Sequence, residues 1–179
     1  MTPAEPQLGV TVPAKLDSIY SISEGPMSTT DVSLCARTLV VDDNELWRRS
    51  VCSILEGLAD VLVIAEASDG LEAVKIAREL KPDMILLDLG LPSLNGMEAS
   101  TRISKTASGT KILFLTGNND TEMVRAALSN GAYGCVLEAD AGRELLPAIK
   151  ALLRGEKFVS SGIKSTSLVP SENPAEALI

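Results

Sequence analysis

The 179-residue chain has no histidine, only three cysteines and an aromatic content of 3%. Cys35, Cys52 and Cys135 are an odd number in no metal-ligand spacing, so without histidine they cannot complete a zinc or iron site. Their scarcity also fits a reduced, cytoplasmic setting rather than a disulfide framework. With so few aromatic rings, a hydrophobic content of 45% implies a core of Leu, Ile, Val and Ala. No apolar run approaches a membrane span, and the opening residues lack the basic start and apolar stretch of an export signal. No basic stripe offsets a net charge of -8 and a pI near 4.6, so no nucleic-acid partner and no membrane partner is expected.

What is present is a regular alternation. Apolar, strand-like runs lie near 38–41, 61–65, 84–88, 111–116 and 134–137, each followed by a stretch of helical spacing. Leu46, Ser50, Val51, Ile54, Leu55 and Leu58 trace one helix face, and Leu71, Val74, Ala77 and Leu80 trace another. Short connections between five such βα units predict a five-stranded parallel sheet with right-handed crossovers and helices on both faces. Residues 1–33, mixed in Pro, Ser, Thr and Gly, read as a flexible leader; 34–158 read as one domain; 159–179 read as a flexible tail.

Two of the buried runs end in acids. Thr38–Val41 leads into Asp42 and Asp43, and Met84–Leu87 leads into Asp88. In an open parallel sheet the carboxyl ends of neighbouring strands meet at the ligand crevice, so these carboxylates can converge on a hard, oxygen-seeking cation. The alternative is that each caps a following helix or turn, as Asp69 does ahead of Leu71 with Glu72 three residues on.

The segments LVVDDNE, ILLDLGLPSLNGME, ILFLTGNND and NGAYGCVLEAD, in that order, resemble the receiver domain of two-component response regulators over about 36–157. That resemblance implies a flavodoxin-like, doubly wound α/β fold of strand order 2-1-3-4-5. It further implies phosphoryl acceptance at Asp88 from a sensor histidine kinase or phosphotransfer protein, with Mg2+ held by Asp42, Asp43, Asp88 and the Gly90 backbone carbonyl. Thr116 would bond a phosphoryl oxygen and report its presence to the surface of the fourth helix, fifth strand and fifth helix, a face that also suits homodimer formation. LLPAIKALLRGEKFVSSG resembles the exit of receivers that continue into a helix-turn-helix domain. Because the chain stops about twenty residues later, output is expected through protein contacts, unless the sequence is a fragment of a longer protein.

Three positions depart from the family pattern. Glu138 stands where the family has a lysine that contacts phosphate. For two unit charges at roughly 5 Å and an effective dielectric of about 20 the interaction is about 3 kcal/mol, and reversing its sign doubles the change. Cys135 replaces the aromatic residue that moves with the hydroxyl, Tyr133 being a candidate substitute, and Gly117 follows Thr116. Two readings of Glu138 stay open: a solvated strand-end acid, or a perturbation that turns the domain into a phosphorylation-independent interaction module. A dehalogenase-type phosphatase is disfavoured, because the acid it requires two residues after the nucleophile is Gly90. Trp47 reads as cover for one edge of the first helix, and Cys135 as an inert buried thiol.

Overall fold

The computed structural model describes residues 35–117 and 120–163; the whole of the expected leader and the tail beyond 163 lie outside the described residues. Six strands form one parallel sheet: β1 (Ala36–Val41), β2 (Val61–Ala67), β3 (Met84–Asp88), β4 (Lys111–Thr116), β5 (Gly134–Leu137) and β6 (Phe158–Val159). Their order is β2-β1-β3-β4-β5-β6, which is the expected doubly wound order with one more edge strand. Five helices connect them: α1 (Glu45–Glu56), α2 (Gly70–Leu80), α3 (Gly96–Thr106), α4 (Thr121–Ser129) and α5 (Ala141–Leu153).

The central strands carry unbroken apolar runs, Leu39–Val41, Met84–Leu87 and Ile112–Leu115, because helices cover both faces of the sheet. Leu39, Val41, Ile85, Leu87, Ile112 and Phe114 pack with α2, α3 and α4. The alternate residues Val40, Leu86, Leu113 and Leu115 pack with α1 and α5. Trp47 lies against this second cluster, as expected, with its buried indole N–H lacking a hydrogen-bond partner among the described residues.

Side-chain oxygens start the helices. Asn44 Oδ1 accepts from the N–H groups of Leu46 and Trp47 at 3.1 and 3.2 Å. Asp69 Oδ1 accepts from Leu71 N at 2.7 Å, while Glu72 reaches back to Ser68 N at 3.0 Å. For α4 the cap is Asp120, whose Oδ1 accepts from Glu122 N at 2.9 Å.

Two expectations need correction. The buried face of α1 is Val51, Cys52 and Leu55, and that of α2 is Gly70, Ala73, Ile76 and Ala77, whereas Leu46 and Leu71 are 77% and 51% exposed. Both exposed leucines sit in the first helical turn, beside the strand ends, where the apolar strand surface runs out. The sheet also has a sixth strand. Gly134 permits it, since a Cβ there would lie 2.1 Å from the Phe158 carbonyl oxygen. Val159, first of the residues read as tail, pairs with Cys135, and Ile163 is buried.

Candidate functional site

β1 and β3 are neighbours in register, Val41 opposite Leu87, so the residues just beyond them meet at one edge of the sheet. Oxygen atoms of Asp42, Asp43 and Asp88 there lie within 4.8 Å of one another. Asp42 and Asp88 are 3% and 8% exposed, while Asp43 is open to solvent. The Asn44 N–H donates to Asp42 Oδ1 at 2.8 Å, and the Gly90 N–H donates to Asp88 Oδ1 at 2.9 Å.

Burial dominates the acidity of Asp42 and Asp88. It pushes the Asp42 carboxyl up to about 6, with the charges of Asp88, Glu138 and Asp43 adding to the rise and the Asn44 N–H opposing it. Asp88 is raised by burial and by Asp43, against the N–H groups of Gly90 and Leu89. Crowded carboxylates that resist ionisation are a site that a cation relieves. The donor set is oxygen only, which fits a hard divalent ion such as magnesium.

Beside the cluster opens a pocket of about 370 Å³, lined by Asp88, Gly90, Thr116, Gly117, Met123 and Glu138 among others. Thr116, at the end of β4, is 3% exposed. Glu138 opens the 3-10 turn Glu138–Asp140 and faces inward: a Cβ at Gly117 would lie 3.5 Å from its Oε2. Burial raises its pKa, and the charges of Asp88 and Asp43 raise it further. The carboxylate therefore belongs to the pocket, not to a solvated strand end.

Contacts with no motif in the sequence hold the site in shape. Arg48 donates to the Asp42 carbonyl oxygen at 2.6 Å and pairs with Glu66 at 2.9 Å. The loop after β3 is wedged between two glycines. A Cβ on Gly96 would lie 2.1 Å from the Asp88 carbonyl oxygen, and one on Gly70 would lie 1.9 Å from that of Leu94. Ser93 has φ 58 and hydrogen-bonds Asp69. Gly90 is different, because a Cβ there would make only ordinary contacts, 3.4 Å at the closest.

Cys135 is fully buried, and burial pushes its thiol up to about 12. Tyr133 cannot substitute for it, since β5 begins at Gly134 and Tyr133 packs with the α1–α5 cluster while Cys135 packs with the other. Its ring lies under the Lys111 ammonium instead, 5.7 Å from centroid to nitrogen.

Residues 38–150 match the family model of the response regulator receiver domain. The transcriptional regulatory protein LiaR of Bacillus subtilis (strain 168) is 38% identical over 127 residues, 71% of this chain and 60% of that protein. A crystal structure of a LuxR-family two-component response regulator from Aurantimonas sp. SI85-9A1 superposes with a TM-score of 0.69 at 33% identity, covering 72% of this chain and 92% of that one. The chain thus spans 60% of LiaR and 57% of the response regulator UvrY of Escherichia coli (strain K12).

The exclusion of a nucleic-acid partner is overturned. A response regulator solved in an RcsB–DNA complex has this fold, with a TM-score of 0.68 at 24% identity over 72% of this chain and 65% of that one. Net charge summed over a chain does not exclude DNA contact, which depends on where the charges lie. For the membrane, the described residues contain no helix long and apolar enough to cross one.

Proposed function

Because the chain belongs to the response regulator receiver family, we propose that it accepts a phosphoryl group on Asp88 from the phosphohistidine of a sensor kinase or phosphotransfer protein. One observation carries the reading: three carboxylates converge within 4.8 Å beside a pocket that contains the Thr116 position. In this reading Asp42, Asp43, Asp88 and the Gly90 carbonyl hold magnesium. When bound, the ion offsets the negative charge that otherwise keeps carboxylate and phosphoryl group apart.

The chain's own residues supply position. An Asp88 carboxylate oxygen attacks phosphorus, the new P–O bond forms as the bond to the donor breaks, and the leaving group departs with the electron pair. The Gly90 N–H, on Asp88 Oδ1, fixes the orientation of the nucleophile. The Thr116 hydroxyl donates to a phosphoryl oxygen. Little more is required, since phosphoryl transfer rests on alignment and charge stabilisation.

A second reading, a phosphorylation-independent interaction module, draws support from Glu138, whose carboxylate faces the place a phosphoryl anion would enter. Incubation with magnesium and acetyl phosphate, followed by intact mass measurement, separates the two. One added phosphoryl group in the wild type and none in Asp88→Asn is the expected result. No addition to the wild type would leave the interaction module as the better account.

A further inference from the structure

Glu138 gives the pocket a charge balance that phosphoryl transfer alone does not call for. Asp88, clustered with Asp42 and Asp43, lines it together with Glu138, Thr116 and Gly117, and no lysine or arginine does so among the described residues. Arg48, which touches Asp42, is engaged by the Asp42 backbone carbonyl and by Glu66. Glu138 has no ion pair among the described residues. Its carboxylate, 3.5 Å from where a Gly117 Cβ would sit, is directed into the opening.

A fixed negative charge in a partly desolvated pocket acts with opposite sign on the two ligands that enter it. Resting on the reading of the aspartates as a magnesium site, we propose that Glu138 is a specificity-determining residue that makes the divalent cation, not the phosphoryl anion, the favoured ligand of this pocket. The cation is then bound tightly before any phosphoryl group arrives. The anion that follows is bound more weakly than the aspartates and Thr116 alone would allow.

The plain alternative is that Glu138 only begins the 3-10 turn, and the two roles predict different signs. Calorimetric titration of the full chain with magnesium chloride alone should show Glu138→Gln binding about tenfold more weakly, the effect of one unit charge on a divalent ion even under near-aqueous screening. In EDTA the same variant should melt no lower than wild type, because a repelling charge has been removed. With magnesium saturating, beryllofluoride, a phosphoryl mimic, should bind the variant more tightly. Glu138→Asp keeps the charge and should stay within about threefold of wild type for magnesium.

Unchanged magnesium affinity in Glu138→Gln overturns the proposal. So does a loss in Glu138→Asp equal to that in Glu138→Gln, which would mark a role in shape. A wild type that binds no magnesium overturns both this inference and the proposed function. A wild type that binds magnesium through Glu138 yet takes no phosphoryl group from acetyl phosphate removes only the proposed function.

Discussion

Single residues set the geometry of the site by what they permit as much as by what they contribute. Gly96 permits the start of α3 to lie against the Asp88 carbonyl oxygen, 2.1 Å from where a Cβ would be. Gly96→Ala must displace the backbone that carries the nucleophile, and should cost about 1–3 kcal/mol, the usual range for overpacking. Urea unfolding will measure it, and an unchanged midpoint would show that the loop yields freely. Arg48 contributes instead: its guanidinium ties the Asp42 carbonyl oxygen to Glu66 on β2. Arg48→Met keeps the aliphatic stem but leaves both acceptors unmet, so a loss of about 1–3 kcal/mol is expected in the same experiment.

Among the elements, the short stretch after α5 is tied down far more firmly than its composition suggests. Ser160 N donates to the Cys135 carbonyl oxygen at 2.9 Å, and the Ser160 and Ser161 hydroxyls both donate to the Glu144 carboxylate on α5. Those two hydroxyls hold the Glu144 carboxyl below its usual range, with the Ser161 N–H and Arg143 acting the same way. The sign follows from linkage. A carboxylate with a lowered folded-state pKa contributes stability above its unfolded value, and that contribution is lost as pH falls through the lowered one. Acid titration of thermal stability should therefore show a shallower fall below about pH 4.3 for Glu144→Gln than for wild type. Equal slopes would mean that the serines leave Glu144 no different in the folded and unfolded chain.

For the whole molecule, the decisive fact is that β1 sits between β2 and β3. Residues 42 and 88 are far apart in sequence, and only the crossover that returns β3 to the side of β1 brings their side chains together. An ion bound by that assembled cluster binds the folded state and not the unfolded chain. Magnesium at about 100 times its dissociation constant should then raise stability by roughly 2.7 kcal/mol, and EDTA should remove the gain. Asp88→Asn should keep the fold and lose most of this dependence, as read by thermal melting with and without magnesium.

The fold was legible in the sequence because its signals are local. Each apolar run long enough to be a strand became one, and Asp69 capped α2 as its spacing with Glu72 implied. β6 was not legible because two residues carry no period, although the glycine that opens β5 marks a close backbone approach. Helix rotation escaped too, since the exposure of Leu46 and Leu71 depends on where the sheet ends beneath them. The site divides the same way. Asp42, Asp43 and Asp88 stood out as acids ending buried apolar runs, whereas Thr116 and Glu138 were candidates only through the resemblance to the receiver family. Whether Glu138 turned toward water or toward Asp88, and that Gly70, Gly96 and Arg48 brace the loop and strand that carry the acids, only the tertiary structure decided. The reason is physical: side-chain direction and backbone contact are set by neighbours distant in sequence, and no local pattern of residues records them.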